Sequence, residues 1–377
     1  MRGDFMKNTF GQSVTLTVFG ESHGTCVGAV IDGLAPGIPI NETEMQKALA
    51  LRRPSSAFET ARKEQDEFFI VSGVFNGRTT GTPLTILIEN GDIQSENYEK
   101  ARGIARPSHA DYAAYCKYHG FEDYRGGGHF SGRVTAAIVA AGAIFSAALS
   151  KSDITVGSHI LRLGGISDRP FPVDPAADIT RLTEDPFPVL VADKKNAMLK
   201  AIEAAANNGD SVGGVTETAV CGIPAGLGEP WFDSVESVLS HALFSVGGIK
   251  GVSFGDGFTL AEMRGSEAND SFRIAGNGGI VTVTNHGGGI NGGITNGMPI
   301  VFSCAVKPAA SIHIEQNTVN FLNGTNEKIT VNGRHDPCIV RRAVPVINAI
   351  TAFVVCDLLA LRFGTDVLAE GISDKAK

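Results

Sequence analysis

Two stretches of this chain are apolar around their whole circumference, and they constrain its fold more than any other feature. "VTAAIVAAGAIFSAAL", residues 134–149, carries no charge, and "RRAVPVINAITAFVVCDLLALRF", residues 341–363, has only Asp357 between its terminal arginines. A surface helix keeps a polar stripe, so a helix without one has to be covered on every side. The uncharged run Val134 to Ser150 falls short of the ~20 residues that span a bilayer and is rich in Ala and Gly, so it reads as a core helix. Pro345 lies near the start of the second stretch, where a missing N–H costs least.

Material to cover such helices is present. "VTLTVFG" alternates and breaks at Gly20, and "EFFIVSGVFNGRTTGTPLTILIEN" reads as a hairpin turning near Asn76-Gly77. "GGVTETAVCGIP" and "GIVTVTN" alternate in the same way. Three further helices are punctuated. Asn41 and Glu44 form a capping box for a helix ending on Arg52 and Arg53, before Pro54. A second starts on Asp193 and stops at Gly209, and a third takes Asp233 and Glu236 as its capping box. Strands and helices mix without a steady βαβ rhythm, which favours α+β over a doubly wound sheet. No Pro/Ser-rich linker divides the chain, so one domain over residues 1–377 is expected. Echoes of strand, Gly-rich loop and buried helix between the halves hint at internal duplication.

With 43% hydrophobic residues among 377, the chain can fill one large core or two moderate ones. Only 19% charged residues and 46 glycines point to tight turns rather than disorder. A net charge of −8 argues against a non-specific nucleic-acid binder, which needs a basic surface. The six cysteines are scattered without a C-x-x-C pair, as expected of small buried hydrophobes in a reducing cytosol. "MRGDFMKNTFGQ" lacks the apolar core of a signal peptide. A soluble cytoplasmic protein, with neither membrane nor nucleic acid as a partner, is the expectation.

Five segments carry candidate chemistry. "GESHG" (20–24) and "RPSHADY" (106–112) each place a histidine on a constrained loop; alone, each also fits an ordinary turn or an Asp-capped helix start. "RGGGHFSGR" (125–133) puts permissive backbone, a hydroxyl and a guanidinium before a helix, which suits either an anion cradle or a plain glycine turn. "NHGGGINGG" (285–293) spells G-x-G-x-x-G at Gly287, Gly289 and Gly292, but the following "ITNGMPIVFSCAV" reads as a strand. A Rossmann fingerprint needs a helix there, so the dinucleotide reading fails. A glycine-lined surface over a flat ligand, with Lys307 near phosphate, survives. "GRHDPC" (333–338) fits an acid–base site or a capped helix. No H-e-x-x-H or paired-cysteine metal signature is present. Arg52, Arg53, Arg62, Arg106, Arg133 and Arg334 gather beside histidines in an acidic chain, which is what a small polyanion requires.

Taken in order, "GESHG", "RPSHADY", "GDSVGG", "PAGLGEP", "GDGF", "MRGSEAND", "KP" and "GRHDPC" resemble the chorismate synthase family over about Thr17 to Leu361. The resemblance implies a β-α-β layered sandwich of antiparallel sheets around central buried helices, assembled as a homotetramer. It implies loss of phosphate from 5-enolpyruvylshikimate 3-phosphate by a 1,4-anti elimination, giving chorismate, with reduced FMN as cofactor. A source of reduced flavin is then needed, either an outside reductant or an NAD(P)H-dependent reductase. By motif, His23 would protonate the leaving phosphate, His109 would act near the flavin, and Asp336 would assist proton transfer. Substrate would be met by Ser22, Arg53, Arg62, Arg106, Ser131, Arg133 and Arg334. FMN would lie near Asn285, Gly287, Lys307, Ser311 and Arg334.

The chain departs from the commonest family pattern in three places. His129-Phe130 stand where many members have Arg-Ser, and Ser108 stands where many have Gly. The loop after Pro54 is short and has Phe58 where a further substrate-binding Arg is common. His129 is expected to replace part of that positive charge. Two other functions share these residues: a flavin- or phosphate-binding relative without elimination activity, and a flavin oxidoreductase.

Overall fold

The computed structural model describes residues 8–54, 66–91, 102–276, 278–331 and 336–373. Strands β1 (Thr9–Phe10), β2 (Thr15–Gly20), β3 (Cys26–Asp32), β4 (Phe68–Ser72) and β5 (Leu84–Glu89) form one antiparallel sheet, in the order β1-β2-β3-β5-β4. Strands β6 (Thr155–Leu163), β7 (Ile166–Ser167), β8 (Gly214–Cys221), β9 (Ile249–Phe254) and β10 (Ile300–Val306) form a second, in the order β7-β6-β8-β10-β9. In both sheets the third strand is central and the fifth and fourth follow it on one side. Only the first two strands exchange places, so the duplication hinted at by the sequence has a counterpart in topology. The β4–β5 connection turns at Asn76-Gly77, with φ of 49° and 70°, as a two-residue hairpin of that composition demands.

The helices are α1 (Glu42–Arg52), α2 (Asp111–Tyr118), α3 (Thr135–Leu149), α4 (Ala176–Leu182), α5 (Ala192–Asn207), α6 (Val235–Phe244) and α7 (Val340–Phe363). α3 packs on β3 and β5, α7 packs on β6 and β8, and the two helices pack on each other. The result is sheet, helices, sheet, as the resemblance implied. At the crossing, a Cβ on Gly142 would stand 2.3 Å from that of Ala349, so the two backbones meet where only glycine fits. Asp357, the one acid inside α7, accepts from the backbone N–H groups of Gln12, Ser13 and Val14 at 2.8–2.9 Å. It pins the β1–β2 turn onto the central helix.

Two details differ from the sequence reading. With its 3-10 flanks the first apolar helix runs Gly132–Ser152, 21 residues, so it and α7 are both long and apolar enough to cross a membrane. Their most apolar windows are 67% and 89% buried inside the molecule, and packing between sheets accounts for that apolarity. The cap of α6 is Ser234, whose Oγ accepts from the Ser237 N–H at 3.1 Å, and not Asp233. Asp233 falls in a 3-10 turn just before the helix, so its box with Glu236 does not form.

Under the second sheet, His159 is fully buried between two acids: its Nε2 lies 2.9 Å from Glu217 and its Nδ1 3.4 Å from Asp168. Burial alone would lower its pKa, but the flanking carboxylates of Asp168 and Glu217 outweigh burial and raise it. The folded value therefore exceeds the unfolded one, and the stability this gives is whole below pH about 6.5 and lost as the pH rises through the raised value. Melting temperatures of the wild type should fall from pH 6.5 to 8.5 more steeply than those of His159→Gln. Equal slopes in calorimetry would remove this group from the account.

Candidate active site

The C-terminus of α1 is built from arginines. Asp66, buried at the start of β4, lies 3.4 Å from Arg52 Nη1 and 3.8 Å from Arg53 Nε, and also pairs with Arg133 Nη1. Among the described residues it is the carboxylate these three guanidinium groups share. Arg52 also donates to the Gly132 carbonyl at 2.6 Å and to Thr135 Oγ1 at 3.0 Å. Arg133 donates to Asn90 Oδ1 and to the Glu89 carbonyl, both at 2.9 Å. The side chain expected to meet substrate is thus turned into the protein. Arg53 differs: its Nε and Nη2 are buried and make no hydrogen bond. Such donors cost free energy until an acceptor arrives.

The last carbonyls of α1 have no partners within the helix. Arg341 donates to those of Leu51 (3.0 Å) and Arg53 (2.6 Å), and Arg342 to that of Arg52 (2.9 Å). Arg342 also pairs with Asp336. Asp336 is thereby held beside the helix end that carries Arg53. Arg62, Arg334, Phe58 and the loop after Pro54 lie outside the described residues.

The triple glycine joins two histidines. Gly126, Gly127 and Gly128 have φ of 59°, 84° and 52°, a region in which side chains are strained. A Cβ on Gly126 would lie 2.4–2.5 Å from the ring of His23, and one on Gly127 3.3–3.4 Å from Cε1 and Nε2 of His109. The backbone of this loop therefore lies against both rings. Ser22, fully buried, donates from its backbone N–H to the Gly128 carbonyl (3.1 Å) and from Oγ to that of Gly126 (3.1 Å). Asn90 Nδ2 holds the carbonyls of Glu21 (2.9 Å) and Gly24 (2.8 Å). Through Asn90, Arg133 thus braces the "GESHG" turn. Ser131 Oγ accepts from the Arg133 N–H at 3.3 Å.

His129 is also engaged with protein. Its Nδ1 lies 2.8 Å from the Gly20 carbonyl and must carry a proton, because a carbonyl only accepts. It ties the triple glycine to the end of β2. Phe130 is 45% exposed and edges onto Tyr118.

"RPSHADY" folds on itself. Asp111 Oδ1 is 2.7 Å from His109 Nδ1, and Arg106 grips Asp111 through Nε (2.8 Å) and Nη2 (2.7 Å). Burial alone would raise the Asp111 carboxyl, but the Arg106 and then the His109 hydrogen bonds hold it well below the usual carboxylate range. A carboxylate accepts, so His109 carries its proton on Nδ1 and turns Nε2 toward Gly127. Arg106 acts through Asp111 in this arrangement, whereas the sequence placed it on substrate. Ser108 has φ of 58°, so a glycine would sit there without strain. Lys307 Nζ donates to the Ser108 carbonyl at 2.6 Å. Burial, then the neighbouring Lys250, lowers its pKa.

The glycine segment expected beside Lys307 lies elsewhere. Asn285 Nδ2 donates to the Pro299 carbonyl at 2.8 Å, and its buried Oδ1 has no partner. The Gly287 N–H donates to Asp270 at 2.8 Å. These contacts sit where β10 begins, and Lys307 follows where it ends. Seven residues of strand separate them, roughly 23 Å at ~3.3 Å per residue. Within one chain, Asn285 and Gly287 are therefore not neighbours of Lys307. Ser311 lies half-buried, four residues beyond Lys307. Gly287–Gly292 itself enters a small hairpin, Ile290–Asn291 with Ile294–Thr295, so no Rossmann helix follows.

Sequence reasoning missed Asp66, Asn90 and Arg342, and Asp111 as the partner of His109. None of the first three stands in a patterned motif. Asp111 was legible two residues after His109.

The chorismate synthase family model matches residues 14–360. Chorismate synthase of Thermococcus gammatolerans is 46% identical over 354 residues, covering 93% of this chain and 97% of the relative. That of Chitinophaga pinensis is 45% identical over 354 residues, covering 94% and 97%. A solved structure, described as a crystal structure of chorismate synthase, superposes with a TM-score of 0.74 at 27% identity, covering 95% of this chain and 94% of that one. Fold, motif order and relatives agree, and the chain belongs to the chorismate synthase family.

Proposed function

We propose that this chain carries out its chorismate synthase reaction beside the end of α1 and the triple glycine. The activity is that of a lyase of the shikimate pathway. The observation that supports this place is Arg53, whose buried Nε and Nη2 make no hydrogen bond, Nε lying 3.8 Å from Asp66, and suit a phosphate or carboxylate of 5-enolpyruvylshikimate 3-phosphate. His23 would give a proton to the departing phosphate. Arg53 would hold the anion in place, and Ser22 would act through the backbone of the triple glycine, to which its hydroxyl donates. Asp336, kept close by Arg342, would take part in proton transfer.

Reduced FMN fits the residues present. Lys307 offers a cation beside the His109 loop, whereas Asn285 and Gly287, at the other end of β10, would not meet a flavin held by Lys307 of the same chain. What the flavin supplies when bound is transient electron density that assists phosphate loss. His109 would face it through Nε2, with Arg106 and Asp111 fixing its tautomer. We further propose that the whole chain works as one cytosolic domain, assembles as a homotetramer, and draws reduced flavin from an outside or NAD(P)H-dependent reductant.

An anaerobic assay with reduced FMN and 5-enolpyruvylshikimate 3-phosphate tests the reaction. Phosphate release is the expected result. FMN binding without release would identify a non-eliminating relative, and NAD(P)H oxidation coupled to a reduced product an oxidoreductase. Asp111→Asn should lower kcat on the order of 10- to 100-fold, as loss of a histidine's supporting partner does elsewhere. Substrate KM should stay within about twofold, because Asp111 acts through His109. An unchanged pH profile with a raised KM would assign Asp111 to substrate binding instead.

A further inference from the structure

The cover over α7 is incomplete near its start. Pro345 and Asn348, neighbours on one face of the helix, are half-buried, while Val346, Ile347, Ala349 and Ile350 around them are buried. They line an open cavity of about 450 Å³ between α7, the start of β6, the end of α1 and residues 182–188. That is within the several hundred Å³ typical of small-molecule sites. Val156, Leu182, Pro188 and Val344 give it apolar walls.

Two polar side chains in these walls keep hydrogen-bonding capacity. Ser158 Oγ donates to Asn348 Oδ1 at 2.5 Å and so orients the amide, whose Nδ2 donates to no described residue. Asp185 Oδ1 accepts from the Phe187 N–H (2.9 Å) and from Lys195 Nζ (3.0 Å), while Oδ2 accepts from none of the described residues. Neither free atom is sealed from solvent, so a ligand can reach both. A carboxylate oxygen calls for an ammonium, and an amide N–H for a carboxylate. An α-amino acid with an aliphatic side chain carries both on an apolar body.

Arg341 forms another wall and ties the cavity to the site. Its Nη1 donates to the carbonyls of Pro186 (3.3 Å) on the rim and Leu51 (3.0 Å), and its Nη2 to that of Arg53 (2.6 Å). A ligand that shifts the rim therefore acts on the same guanidinium that holds the end of α1.

We propose that this cavity is an effector site for an aliphatic α-amino acid, and that its filling alters the hold on Arg53. The second part rests on the reading of Arg53 as the anion anchor.

L-Leucine is the probe. Calorimetric titration of the full-length protein should give a Kd on the order of 1 mM or tighter, as expected of so small a ligand. 3-Methylbutylamine and 4-methylpentanoate each lack one of its charges and should bind about tenfold more weakly. Leucine itself should lose about tenfold on Asp185→Asn, which keeps the Phe187 contact, and on Val344→Trp, which fills the cavity. Asp185 sits at the rim, so that variant decides should the other not fold. No binding to the wild type at ~10 mM, equal binding to a folded variant, or equal binding of either analogue overturns the site. Saturating leucine should shift substrate KM by about twofold or more in the wild type, and not in Asp185→Asn. An unchanged KM with leucine bound overturns the link to Arg53. Arg53→Ala without leucine tests the anchor separately: an unchanged KM there overturns the reading of Arg53 and leaves the leucine site standing.

Discussion

Gly126→Ala is expected to lose on the order of 100-fold in kcat/KM for phosphate release while remaining folded. The added Cβ would stand 2.4 Å from His23 Cδ2, 2.5 Å from Nε2 and 2.7 Å from Ser22 Oγ. Those neighbours are side-chain atoms, so the imidazole can yield by about an ångström, a displacement that costs that much in rate. The left-handed φ of 59° adds roughly 1–2 kcal/mol of strain, which a melting curve should register as a modest shift. Gly128→Ala makes the contrast. Its Cβ would stand 1.9 Å from the Asp123 carbonyl oxygen, and backbone cannot step aside. That variant should fail to fold. Wild-type turnover in Gly126→Ala would mean that His23 does not need its present position.

Arg133→Ala is expected to destabilise the protein by about 3–5 kcal/mol, the usual result of removing one partner from a buried charge pair. Arg133 is 4% exposed and binds Asp66, Asn90 and the Glu89 carbonyl at once. Its loss would also free Asn90, and with it the carbonyls of Glu21 and Gly24 that shape the His23 turn. Arg133→Lys should recover only part of the loss, since one ammonium cannot replace the fork. Denaturant titration of the three proteins measures this. If Arg133→Ala instead melted like the wild type and raised substrate KM, Arg133 would be a substrate contact, as its sequence context suggests.

The layered fold was legible because an apolar circumference has one physical remedy, cover on all sides. The Asn76-Gly77 turn was legible because few dipeptides adopt its φ values. Helix caps were less so: Ser234 and Asp233 are both good caps, and the choice depended on where α6 meets β9 and α7. In the site, the histidine loops could be found from their glycines and prolines. Their meeting could not, because Ser22 and Gly126 are 104 residues apart in the chain. Asp66 in "KEQDEFF" looks like any solvated charge until β4 draws it inward. Arg106 and Arg133 pose the opposite difficulty. Guanidinium groups near glycines suggest an anionic ligand, yet protein carboxylates compete for the same forks, and in this structure Asp111 and Asp66 occupy them.

The triple glycine also has a meaning for how such a site can evolve. Gly126 is closed to a side chain by the His23 ring and Gly128 by the Asp123 carbonyl, while Gly127 lies against His109 in a left-handed turn. Single substitutions there cannot tune the loop gradually. The next two positions are open, one bonded outward to Gly20 and the other facing solvent. Variation is then channelled past the glycines, to the positions that His129 and Phe130 hold in this chain.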